Sequence, residues 1–385
     1  MAYSQVQFVG YAINTGPAQR ANWGFYLIPG STPTWARDVD KWYPGNPDVE
    51  QDVTDRVQLM KAAVEQAASL VNRDDRVLKV FVAPEFFFRG PQGAYDMKHV
   101  GDVIGLLQRY ARADIYKHWL FVWGTIIGRA QKPDGTWEIY NVAVVQKGAQ
   151  GADGANVVMK EFKSGIDFIS AAPRWAAGVG PYLQVPRVNG IHSEIAEHMP
   201  RLADGRRREE RAVPYGGEAL LLVDDIQIGL EICLDHACKR LRNHQMRPDE
   251  RVVQLQIIPS AGMEIQPDAV VAAAGGLVFN CDGSYTLPGR TMGAHTDLRS
   301  ILPPDPGSSD TKLSAPHRYE RSAPVHVPFA RSIQTYYTQS AGEVHVYPAM
   351  NLLAAPSRSA KRSASTPAQS LERLEGRRTE RPRNH

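Results

Sequence analysis

The sequence predicts a layered α/β domain. It holds many short apolar or alternating runs of strand type, with only a few helical patterns among them. The two clear amphipathic stripes each lead straight into an apolar run. Neither strict β-α-β alternation nor a GxGxxG or GxxxxGK[ST] loop in strand-to-helix context is present, which argues against a doubly wound nucleotide-binding sheet.

In chain order, Gln5–Ile13 alternates apolar and polar residues and reads as the first strand. Asn14–Val53 is rich in Gly, Pro and Trp and reads as an excursion without periodicity. A helix follows, with Thr54 as N-cap and Val57, Met60, Val64, Ala67 and Val71 on one stripe. Leu78–Ala83 is almost wholly apolar, as a strand covered on both faces should be. Met97–Trp119 reads as a second helix, with Val100, Ile104, Leu107 and Ala111 on its inner side. Leu120–Ile127 and Tyr140–Gln146 read as strands joined by a Lys132–Gly135 turn, and Asn156–Lys160 as the next strand. Pro173–Arg211 is a polar insertion. Glu218–Val223 and Ile226–Ile232 form a hairpin about Asp224-Asp225, and Val252–Pro259 and Gly276–Cys281 continue the series. A second hairpin is expected over Ile333–Tyr347. These elements place one domain over 1–355. From Pro356 onward Ser, Arg, Pro and Ala dominate, a composition expected to remain disordered over 356–385.

The net charge of +3 is unevenly spread. Arg358–His385 carries eight Lys/Arg against three Glu, about +5, which leaves the remainder near −2. The body is therefore no polyanion binder, and the tail lacks aromatic residues for base stacking, so nucleic acid is not an expected partner. No apolar run is long enough to span a bilayer, and the N-terminus lacks the pattern of a secretory signal. Three cysteines without framework spacing fit a reducing compartment, so the expected location is the cytoplasm. Cys233, His236 and Cys238 match no common zinc spacing, and no metal is expected.

At three places a chemically capable residue follows directly on an apolar strand, where a rigid scaffold presents reactive groups. Glu85 stands in VFVAPEFFFRG, among Phe86, Phe87 and Phe88, where desolvation should raise a carboxyl pKa toward that of a general base. Lys160 and Lys163 stand in VVMKEFKSGIDF. Cys233 stands in IQIGLEICLDH, followed by Asp235 and His236. Taken singly, a cap, a solvated lysine and an inert buried thiol are the ordinary roles of such residues. Cys238 and Cys281 keep that ordinary role.

Together and in this order the three motifs resemble the nitrilase superfamily of carbon–nitrogen hydrolases. Ala83-Pro84-Glu85 resembles its strand–Pro-Glu element, and Gly229–Asp235 (GLEICLD) resembles its nucleophile element. Tyr140-Asn141, Ile258-Pro259-Ser260 and Phe279–Gly283 resemble weaker landmarks. The resemblance implies a four-layer α-β-β-α sandwich, self-association into a homo-oligomer, and a Glu–Lys–Cys triad needing no cofactor. Glu85 would be the base, Cys233 the nucleophile, and the Leu234 backbone N–H an oxyanion donor. Lys163 has the family's spacing to Ile166, but Glu161 takes the place of an aromatic residue; Lys160 lies on the alternating strand. Both stay open as the triad lysine. Glu209, Glu210 and Glu218 are candidates for the family's auxiliary glutamate. The substrate implied is a small nitrile or amide, and the alternative is a catalytically idle fold used as a binding or scaffold subunit.

Overall fold

A computed structural model describes residues 3–16, 43–135, 137–151, 154–162, 167, 219–243, 252–286, 292–305, 311–328, 336–337 and 340–353. The strands are β1 (Gln5–Ala12), β2 (Val77–Val82), β3 (Tyr95–Asp96), β4 (Trp119–Gln131), β5 (Trp137–Lys147), β6 (Ala155–Met159), β7 (Leu220–Val223), β8 (Ile226–Leu230) and β9 (Leu255–Ser260). They continue as β10 (Leu277–Thr286), β11 (Met292–Leu302), β12 (Lys312–Leu313), β13 (Val325–His326), β14 (Glu343–Val346) and β15 (Met350–Asn351). The helices are α1 (Val49–Ala68), α2 (Met97–Ala111) and the one-turn α3 (Leu234–Ala237) and α4 (Arg240–Asn243). None of the described helices is long and apolar enough to cross a membrane.

The strands form two sheets. The first has the order β13-β14-β1-β2-β4-β5-β6, with β15 on β1 and β3 on β4; the second has the order β12-β11-β10-β9-β8-β7. Parallel pairing joins β1, β2 and β4 in one sheet and β8, β9 and β10 in the other. The expected mixed α/β layering is therefore present as two sheets with few helices.

Alternation along the strands divides the core. Val9, Tyr11, Phe81, Phe121 and Trp123 pack against α1 and α2. Val6, Phe8, Leu78, Val80 and Val122 pack against Ile228, Leu230, Ile257 and Phe279 of the second sheet. Phe8 and Phe279 stack across that interface at 4.7 Å between ring centroids. On the far side of the second sheet, Gly229 leaves room for Leu241 of α4, which a Cβ there would meet at 2.7 Å.

Several boundaries differ from the sequence expectations, each for a local reason. The first helix begins at Val49, not after Thr54: Asp48 caps it by accepting from Glu50 N and Gln51 N, while the Thr54 hydroxyl donates back to Glu50 O. It ends at Ala68, short of Val71. The second helix stops at Ala111, because Trp119 and Leu120 pair in register with Lys79 and Val80 of β2. β11 was not expected from its polar sequence. Of the expected hairpin over Ile333–Tyr347, the described residues include β14, which pairs with β1 and β13, while 333–335 and 338–339 lie outside the described residues. The Asp224-Asp225 hairpin forms as expected, with both residues at positive φ (47° and 68°), the geometry a two-residue turn requires. The basic tail lies outside the described residues.

Candidate active site

Glu85 stands immediately beyond the carboxyl end of β2, and its main chain is tied on three sides. Glu85 N donates to Ser260 O at the end of β9, Thr15 Oγ1 donates to Glu85 O at 2.6 Å, and Phe86 N donates to Thr125 Oγ1. The close approach of β4 depends on Gly124, at φ +73°, where a Cβ would stand 2.3 Å from Pro84 O. The pairing of β4 with β5 shifts register at this point, a bulge that turns Thr125 toward the Glu85 segment.

The Glu85 side chain is fully buried. Its Oε1 accepts from Lys160 Nζ and from Asn141 Nδ2, both at 2.8 Å. Among the described residues Oε2 meets no hydrogen-bond donor, and the Cys233 thiol is a further side chain that acts on this carboxyl. Burial raises the Glu85 pKa to about 6; Lys160 opposes the rise and Asp167 adds to it.

Lys160 follows β6 directly and is held by its own N–H, which donates to Asn141 O at 2.7 Å. Its ammonium also donates to Asp167 Oδ1 at 2.8 Å, and Asn141 Nδ2 reaches the same oxygen at 2.9 Å. Burial disfavours the charge on Lys160, but Asp167, Glu85 and Cys233 outweigh it and hold the pKa well above the ordinary lysine value. The lysine is therefore a fixed cation. Lys163, Glu209, Glu210 and Glu218 lie outside the described residues.

Cys233 closes β8 at a sharp turn into α3, with φ 48° and ψ −106°, a conformation that a side-chain-bearing residue seldom adopts. Two devices hold the turn. Cys233 N donates to Pro259 O, and Asp235 accepts from Glu161 N, Phe162 N and Arg240, which itself donates to Met159 O. Asp235 and Arg240 thus fasten the cysteine turn to the chain on either side of Lys160. Burial and the neighbouring Glu85 keep the Cys233 pKa well above its ordinary value, while Lys160 and a hydrogen bond from the Ala261 N–H pull it down. The resting pair is a thiol facing a carboxylate. Leu234, whose N–H opens α3, follows directly.

His236 is turned away from this centre. Its Nδ1 lies 2.6 Å from Glu231 Oε2 and its Nε2 accepts from Gln266 N, so both ring nitrogens are engaged. All three cysteines are buried and none forms a disulfide. Among the described residues no group of three His, Cys, Asp or Glu is arranged to hold a metal ion.

The structure thus brings Glu85, Lys160 and Cys233 together, from three separate strand ends and two sheets. Asp167 and the Ala261 N–H were not singled out from sequence. Asp167 follows Ser-Gly-Ile with no strand pattern to mark it, and its acidic character seven residues beyond Lys160 is the one available signal. The Ala261 donor is main chain, signalled only by the Pro-Ser-Ala-Gly sequence in which β9 ends.

No protein-family model matches the sequence, and no curated protein matches it. Solved structures do. A carbon–nitrogen hydrolase from Helicobacter pylori G27 is 11% identical with a TM-score of 0.35, over 80% of this chain and 86% of that one. A double mutant of the amidase from Nesterenkonia sp. AN1, in complex with acrylamide, is 12% identical with a TM-score of 0.35, over 78% of this chain and 82% of that one. A further mutant of that amidase, showing covalent addition of the acetamide moiety of fluoroacetamide at the active site cysteine, is 12% identical with a TM-score of 0.32, over 78% and 83%. The similar structures include carbon–nitrogen hydrolases and amidases of the nitrilase superfamily, the family that the motifs of this chain resemble.

Proposed function

We propose that this chain is a nitrilase-superfamily hydrolase of non-peptide carbon–nitrogen bonds, acting on a small nitrile or amide through a thioester on Cys233. One observation carries the reading. A buried carboxyl, a buried ammonium and a thiol on a strained turn converge, with Lys160 Nζ 2.8 Å from Glu85 Oε1 and the Cys233 thiol acting on the same carboxyl.

The chemistry follows from what each group can do. Glu85, ionised above about pH 6, takes the Cys233 proton as sulfur attacks the substrate carbon. The thiolate is generated at the moment of attack, since the resting thiol has a raised pKa. Lys160 cannot readily give up its proton, so it serves as a permanent charge beside the developing anion, with the Leu234 N–H as a second donor. With an amide, protonated Glu85 returns its proton to the departing nitrogen and the thioester forms. A nitrile first gives a thioimidate on sulfur, which takes up one water before ammonia leaves and the same thioester forms. The carboxylate then activates water, which cleaves the thioester and restores the thiol. No cofactor enters this cycle.

The family reading carries two further proposals, a fourth layer of helix over the second sheet and assembly as a homo-oligomer. The decisive experiment is intact-mass spectrometry during incubation with a panel of nitriles and primary amides. A mass increase equal to the acyl group, mapped to Cys233 and lost on standing, is the expected result. A panel that leaves the protein unmodified and is not consumed would favour the idle scaffold instead.

A further inference from the structure

Among the described residues, two buried carboxylates, Glu85 and Asp167, share the Lys160 ammonium. These three groups alone carry a net negative charge, and Asp167 pushes Glu85 toward protonation. A protonated Glu85 could not accept the thiol proton. A second cation answers this. Arg89, four residues beyond Glu85 and only 4% exposed, lies with its guanidinium carbon 4.3 Å from the ring centroids of both Tyr43 and Phe86. Its Nη2 donates to Asp167 O at 2.8 Å. Phe86 is the residue next to Glu85 and stands at φ +66°, so the clamp also fixes the turn that presents the base.

We propose that Arg89 is a positioning residue of this site: clamped between Tyr43 and Phe86, it anchors the main chain at Asp167 and supplies the second positive charge that keeps Glu85 in its proton-accepting form. Among the described residues, the groups acting on Glu85 include Lys160, Asp167, Cys233 and Arg89, and those acting on Arg89 include Tyr43, Asp167, Glu85 and Arg56. Arg56 is neutralised by Asp52 at 2.8 Å, and on β10 Asp282 is engaged with the Gly262 and Ser284 amides. Among these described residues, Glu85 and Asp167 stand with Lys160 and Arg89, two charges of each sign.

The inference rests on Glu85 as base, and its test separates the two. The measurement is the alkylation rate of Cys233 by iodoacetamide against pH, read by peptide mass, which needs no substrate. Arg89→Met should move the acidic limb upward by about one pH unit. Arg89→Lys, which keeps the charge but loses the planar fork, should leave the limb in place while slowing the reaction. Asp167→Asn should move the limb downward, and Arg89→Met with Asp167→Asn should return it to within about 0.3 unit of the original. An unmoved limb in Arg89→Met, or no cancellation in the double variant, overturns the role. Should Arg89→Met fail to fold, an unmoved limb in Asp167→Asn overturns it equally. A limb that persists in Glu85→Gln overturns the base assignment itself.

Discussion

Two buried polar clusters flank the β8–α3 turn, and they are built from similar parts. In one, Glu231 Oε1 accepts from Leu241 N, and Oε2 accepts from Gln256 Nε2 and pairs with His236. His236 accepts in turn from Gln266 N, and Gln256 from Val271 N. Every oxygen and ring nitrogen there is spoken for, and the cluster pins the loops around the cysteine. In the other, Glu85 has one oxygen with two donors and a second left toward the thiol, while two carboxylates crowd one ammonium. Full satisfaction rigidifies a buried network; a remaining acceptor beside a proton donor makes it reactive. Burial of an acid near an imidazole or a thiol is not enough to mark a catalytic group. What distinguishes Glu85 from Glu231 is the unfilled bond.

The most severe way to break that distinction is Cys233→Ala. Hydrolysis should fall to background with the melting temperature little changed, whereas Cys238→Ser and Cys281→Ser should keep most activity. Full turnover in Cys233→Ala would place the chemistry elsewhere. Glu85→Gln preserves shape and removes the acceptor, so kcat should drop about a hundredfold or more. Lys160→Met should lower the rate by a similar hundredfold, roughly 3 kcal/mol, and raise the pH at which iodoacetamide reacts with Cys233. Lys163→Met, if that residue is solvated, should change the rate little, and comparing the two decides the lysine.

A milder probe is pH. Because burial raises Glu85 to about 6 from an ordinary 4.5, kcat/KM should climb with an apparent pKa near 6 and lose that limb in Glu85→Gln. The stability sign follows from the same shift. The folded state binds the Glu85 proton more tightly than the unfolded chain, so this group supports the fold below about pH 4.5. That support, about 2 kcal/mol, is lost as the pH rises through about 6. A limb centred near 4.5 would show that the carboxyl is better solvated than its enclosure implies.

Most strands could be read from sequence because their residues alternate or are apolar throughout, as in LKVFVA of β2. β11 could not. Its buried Thr296 finds partners far away in the chain, His345 and Tyr347. No local pattern announces such pairings. The start of α1 was misplaced because Thr54 has the chemistry of a cap, yet Asp48 stands one residue ahead of Val49 and does the capping. At the site, three of the converging side chains were visible as reactive residues at strand ends. Asp167 and Arg89 were not, since each matters through a partner brought close only by folding.

The smallest expected effect on chemistry, and the sharpest contrast, comes from Glu231→Gln. This change keeps the shape of a side chain that lies wholly in the interior, but it replaces a charged acceptor with an amide. His236 Nδ1 would face an NH2 group or a weaker carbonyl acceptor, and one of the three donors to Glu231 would lose its bond. A charge-assisted hydrogen bond lost in the interior costs about 1–3 kcal/mol, so the melting temperature should fall measurably. The reaction itself should respond differently. Glu231 lies on the far side of the cysteine turn, and Oε1 and Oε2 are committed to the loops, so the acidic limb near pH 6 should stay where it is. Thermal unfolding and the pH dependence of kcat/KM, measured on the same preparation, check both halves. A stable Glu231→Gln protein with a displaced acidic limb would mean that Glu231, not Glu85, sets the proton inventory of the site, and the two clusters would have to exchange roles.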